Sequence, residues 1–214
     1  MKKLNLSIAA IAVLLASTAM AQDNDDTNIA THQLDVNVPE LALLDIYDSN
    51  TGTEAATIAM DMRSGSFIDN NKEAGLFNFT GVSYAGLYLN YTSIVDNAAN
   101  TNGYDLSRQI DVQMAPTSSF PGSVDLRITP QNPVITTDGG TAASAGQITN
   151  AGVALGAETP IGSDALLVNS IESVYTGDEA FGVQLAYTLE QNGNFAAFNA
   201  GDYQATLIYT LSDN

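Results

Sequence analysis

Residues 181–190 (FGVQLAYTLE) and 203–212 (YQATLIYTLS) decide the fold. In the first, Val183, Leu185, Tyr187 and Leu189 fall on alternate positions, with Gln184, Thr188 and Glu190 between them. In the second, Tyr203, Ala205, Leu207, Tyr209 and Leu211 do the same. Successive side chains of a strand point to opposite faces, so a two-residue period in apolar character describes a half-buried strand. A helix would need apolar residues three and four apart, and long stretches of that kind are missing.

The same rule extends outward along the chain. It predicts strands at Leu34–Val38, Leu41–Tyr47, Thr57–Met62, Leu76–Thr80, Gly86–Ile94, Leu106–Met114 and Ser123–Thr129, and a further one at Leu166–Tyr175. Asp48-Ser49-Asn50-Thr51-Gly52 has the composition of a tight turn. Residues 136–164 are rich in Gly, Ala, Thr and Ser and read as a long loop with one short strand near Val153–Leu155. About ten short strands separated by Asn, Asp and Gly turns specify an all-β fold, an antiparallel Ig-like β-sandwich of Greek-key type. The expected organisation is one domain over 28–214, after a flexible stretch at 22–27. Two small sandwiches joined near 138–160 are the alternative division.

The chain has 214 residues, 24 acidic and 6 basic side chains, one His and no Cys. That balance argues against nucleic-acid partners, which require clustered Lys and Arg. The lack of Cys removes thiol catalysis, disulfides, thiolate metal sites and lipid attachment through cysteine. At the start, Lys2-Lys3 precede the apolar run Ile8–Ala16, and Ala19-Met20-Ala21 supplies small residues at a cleavage site. This order predicts a secretory signal of bacterial type over 1–21. The run is short of the about 20 apolar residues a spanning helix needs, so no membrane span is expected. Cleavage leaves Arg63, Lys72, Arg108 and Arg127 against all 24 acids. The expected location is extracytoplasmic: secreted, at the cell surface or in the periplasm.

The closing segment Ala200–Asp213 (AGDYQATLIYTLSD) resembles the end of WxL-type cell-surface domains, where a Gly-x-Tyr turn leads into a strand carrying Trp-x-Leu and then Ser/Thr-Asp. Tyr209-Thr210-Leu211 stands at the Trp-x-Leu position, and Tyr187-Thr188-Leu189 is a second aromatic-x-Leu unit. Residues 148–155 (ITNAGVAL) are similar to the apolar strand before that end. The likeness covers the last third of a chain that has no Trp. It implies non-catalytic attachment to a cell-wall polymer. A looser similarity is to cysteine-free fimbrial subunits, which begin with an alternating strand and end with a Gly-Tyr strand. It implies that residues 28–38 (NIATHQLDVNV) are donated to a neighbouring subunit, with Leu34, Val36 and Val38 filling alternate pockets. The competing reading makes this segment the first strand of the chain's own sheet.

Sites for chemistry are few. His32 is the only imidazole, and no Gly-x-Ser-x-Gly elbow accompanies it. Two carboxylates suffice for glycoside hydrolysis, and Glu172 with Glu190, expected on neighbouring strands, is the first pair to consider. Calcium takes hard oxygen ligands; Asp48–Glu54 and Asp96–Asp105 are oxygen-rich turns of that kind, and hairpin connections have the same composition. Tyr84, Tyr88 and Tyr91 are candidates for a sugar-stacking platform, or for core. Asn78-Phe79-Thr80 and Asn90-Tyr91-Thr92 match the N-glycosylation pattern. The expected function is therefore a secreted, non-enzymatic surface structural or adhesion protein without a cofactor, self-associating or joining other surface subunits. A wall- or carbohydrate-binding module is the alternative, and a hydrolase using paired acids comes third.

Overall fold

The computed structural model describes residues 31–54, 57–61, 82–96, 103–149, 152–156, 164–197 and 199–214. The expected signal at 1–21, the stretch 22–27, the strand at Leu76–Thr80 and the Asn78 sequon lie outside them. So do Met62, Arg63 and Lys72.

Among the described residues there are eleven strands and no α-helix, only a 3-10 turn at Phe195–Ala197. The strands are β1 (Leu41–Asp48), β2 (Thr53–Glu54), β3 (Ser83–Ile94), β4 (Arg108–Met114), β5 (Val124–Pro130), β6 (Gln147–Ile148), β7 (Val153–Gly156), β8 (Ala165–Ile171), β9 (Val174–Tyr175), β10 (Val183–Gln191) and β11 (Leu207–Asp213). All pairings are antiparallel. One sheet runs β2-β1-β3-β10-β5-β7, with β9 also on β3; the other runs β11-β4-β8-β6. Their inner faces form a common core, so the all-β sandwich expected from the alternation is the fold.

The alternation converts directly into burial. Ile110, Val112 and Met114 of β4 are buried while Gln109, Asp111 and Gln113 alternate with them as half-buried residues on the other face. Leu87, Leu89 and Tyr91 of β3 and Val183, Leu185, Tyr187 and Leu189 of β10 line the facing layer. Between Leu185 and Ala186 the β3–β10 register skips Gly86, whose φ is +101°. A side chain there would meet Ser49 Oγ at 2.7 Å, so glycine lets the turn after β1 close onto the bulge.

Three expectations need correction. Leu166–Tyr175 is two strands: β8 belongs to the smaller sheet and β9 to the larger, with Glu172 and Ser173 crossing between layers. Ser170, at φ 55°, sits at the irregular β4–β8 register just before the crossing. The 136–164 stretch is not simply a surface loop. Ala145 is fully buried, its carbonyl accepts from the Tyr91 hydroxyl at 2.5 Å, and β6 and β7 extend both sheets. Residues 31–40 and 57–61 form no strand despite their alternation. Ile58 and Met60 still pack against the core, so the pattern there set a face without a strand assignment.

Candidate functional site

Among the described residues, the three most exposed large hydrophobic side chains lie in the N-terminal segment. Residues 31–38 carry no strand assignment. Leu34, Val36 and Val38 are 77%, 75% and 63% exposed. Gln33 Nε2 donates to Asp35 Oδ1 at 2.7 Å on the opposite parity. Three aliphatic side chains at strand spacing therefore stand in water without a sheet.

The sandwich has its own irregularity at its edges. An edge strand offers unpaired N–H and C=O groups, and proteins blunt this with short strands, prolines or charge. Among the described residues, β2 and β6 have two residues each and β7 has four. By contrast β11 has seven, Leu207–Asp213, pairs with β4 alone among the described strands, and contains neither Pro nor Lys. Its inward residues Leu207, Tyr209 and Leu211 are only half-buried, although their partners Met114, Val112 and Ile110 are 1% exposed or less. On β1, where β2 covers just Tyr47 and Asp48, inward-facing Leu44 and Ile46 are likewise half-buried.

Arg108 closes the end of this flank. The side chain is buried, and Nη1 donates to Leu41 O, to Ile94 O at 3.2 Å and to Ser93 Oγ at 3.4 Å. Nε donates to Asp213 Oδ1 at 3.0 Å, and Nη2 lies 3.7 Å from Glu40 Oε1. One guanidinium thus ties β1, β3 and β11 to β4. Nothing in the sequence marked it beyond its rarity as one of six basic residues.

The WxL-like positions point inward. Tyr187 and Leu189 are buried, Tyr209 and Leu211 half-buried, and the Tyr187 and Tyr209 hydroxyls meet at 2.5 Å between the two sheets. The aromatic-x-Leu units are core here, and their rings do not form an outward binding face. Burial pushes the Tyr187 hydroxyl up to about 12 and Tyr209 well above its usual value. Burial also raises Tyr91. These groups stay neutral in the fold at a pH where the unfolded chain has ionised them. Their contribution to stability is complete below about pH 10 and falls as pH rises toward 12. Each raised tyrosine should steepen the loss by at most about 1.4 kcal/mol per pH unit. Denaturant midpoints measured from pH 8 to 12 check this, and a flat profile above pH 10 would contradict it.

Other candidates separate on inspection. Glu190 Oε1 lies 2.7 Å from Arg127 Nε in an ion pair near the Ser83 end of β3, whereas exposed Glu172 sits by β9 at the Ile94 end. The twelve residues of β3 span roughly 35–40 Å at about 3.3 Å each. The carboxylates are therefore not on adjacent positions and are far beyond the roughly 5–9.5 Å that glycoside hydrolysis uses. His32 is exposed on the N-terminal segment.

In the Asp48 turn, Oδ1 accepts from the Asn50 amide and Nδ2, and Oδ2 accepts from Tyr84 Oη at 2.6 Å and Thr51 Oγ1. The Tyr84 bond, helped by Asn50, holds this carboxyl below its ordinary range. Its lone pairs accept four hydrogen bonds within and around the turn. Residues 97–102 of the Asp96–Asp105 turn lie outside the described residues. Among the described residues no group of three or more His, Asp or Glu clusters to hold a metal. Tyr91 is core, Tyr84 is spent on Asp48, and Tyr88 pairs with Tyr47 on the outer face, so the three build no common platform. Asn90 is buried and its Nδ2 donates to the Glu179 and Phe181 carbonyls, which removes it as a glycosylation acceptor in the folded chain.

Comparison with protein-family models, curated proteins and solved structures found no match to this chain. Among the described residues no helix is long and apolar enough to cross a membrane.

Proposed function

We propose that this chain is an exported, non-enzymatic structural or adhesion subunit of the bacterial surface that assembles by donating its N-terminal segment to a neighbour as a β-strand. The observation that carries the reading is the exposure of Leu34, Val36 and Val38 on alternate positions of a segment that forms no strand. A strand is stable only beside another, and an open sheet edge with apolar pockets supplies both hydrogen bonds and burial. The signal-like Met1–Ala21 supports export, and the acidic excess keeps separate subunits soluble by mutual repulsion.

The test compares the mature chain from Gln22 with one beginning at Pro39, by electron microscopy and sedimentation velocity. Polymers or defined oligomers are expected from the first and monomers from the second. Assembly that survives the truncation, or monomers from both at high concentration, would overturn the reading. Changing Leu34, Val36 and Val38 together to Ser removes three buried contacts. At about 1.5 kcal/mol or more each, that weakens association by about a thousandfold.

A further inference from the structure

The proposed donation needs an acceptor, and β1 and β11 are the two long edge strands among the described residues. We infer that the outer edge of β11 in a second copy receives residues 33–38. The inference rests on the reading above and adds the place.

Three observations favour β11 over β1. First, β11 presents Leu207, Tyr209 and Leu211 inward at strand spacing and half-buried, so its layer lacks apolar cover along three consecutive inward positions. Leu34, Val36 and Val38 supply three side chains at the same spacing. On β1 the corresponding run is Ala42, Leu44 and Ile46, of which only the last two carry large side chains, and the next inward position is Asp48, whose carboxylate is held in its turn. Second, β2 already occupies the Tyr47–Asp48 end of β1, while β11 is open along its seven residues among the described strands. Third, charge discriminates. β1 carries Asp45 on its outer face and follows Glu40, whereas β11 has a single acid, at its last position, Asp213. The donated strand brings Asp35 on its outward parity, where like charges directly opposite destabilise a strand pair. Against β11, Asp35 would meet Ile208, Thr210 or Ser212.

The chain has no cysteine, so a single introduced pair reports position without background. One protein is the full mature chain carrying Asp35→Cys. Its partner begins at Pro39, so that it can only accept, and carries one of Ile208→Cys, Thr210→Cys or Ser212→Cys on β11, or Leu43→Cys or Asp45→Cys on β1. After mixing under mild oxidation, at least one β11 position is expected to give about tenfold more disulfide-linked heterodimer than either β1 position, because a disulfide forms only across a short Cα separation. Linkage mainly to β1 would overturn the β11 assignment and leave donation standing. No linkage at either edge, together with assembly that survives truncation, would overturn both. No linkage while assembly still requires the segment would place the acceptor elsewhere and overturn the inference alone.

Discussion

Replacing Arg108 with Ala is expected to lower the unfolding free energy by about 3–5 kcal/mol, the range for removing one member of a buried charged cluster. Most of this loss comes from backbone acceptors and not from the ion pairs. Asp213 is 59% exposed and can rehydrate, and an exposed pair contributes little. Leu41 O, Ile94 O and nearly buried Ser93 Oγ instead lose their donor, at about 1–3 kcal/mol for each buried group left unsatisfied. Two consequences can be measured by urea denaturation. Raising salt should recover little of the difference between wild type and R108A in the wild-type direction, since screening acts on the minor part. Arg108→Lys should restore only part of the stability, because a compact ammonium cannot reach partners on three strands. A variant within about 1 kcal/mol of wild type would show that water satisfies those carbonyls and that the flank is looser than described.

Gly182→Ala is expected to be comparably damaging, by about 3 kcal/mol or more, from backbone geometry alone. Its φ is +72°, and an added Cβ would lie 1.9 Å from Leu89 O, a backbone atom of the central strand. Relief requires β10 to move away from β3. The contact recurs because β9 and β10 line the same edge of β3 end to end, and the chain between them must close the gap. Thr176 and Asn90 complete that junction: the Thr176 hydroxyl accepts from Tyr91 N at 2.9 Å and donates to Tyr91 O at 3.1 Å. Asn90 Nδ2 holds the Glu179 and Phe181 carbonyls. A thermal melt of G182A that overlays wild type would mean that the junction adapts freely.

Those two positions also show what the sequence could and could not reveal. The inward faces of β3, β4, β5 and β10 were legible, because a period of two fixes which side chains meet the core whatever the neighbour. Partner choice was not. Leu34–Val38 and Ile58–Met60 have the same alternation as β4, yet neither stretch is a strand among the described residues. A strand exists only where another edge accepts it, and that edge is remote in sequence. The sheet change between Ile171 and Val174 was equally hidden, since Glu172-Ser173 lacks the Gly or Pro that usually marks a break. The aromatic-x-Leu units were visible as a motif, but whether their rings faced a ligand or each other depended on which layer lay opposite. Arg108 carried no signal, because a buried arginine looks like any other until its carbonyl partners are in place.

Amide hydrogen exchange at residues 33–38, read in the concentrated mature protein and again after dilution to monomer, tests the proposed strand donation most directly. Those amides should be protected in the concentrated sample, together with outward-directed amides of β11, and should exchange at unprotected rates in the dilute one. Rapid exchange of residues 33–38 at every concentration, in a sample shown to be assembled, would contradict it.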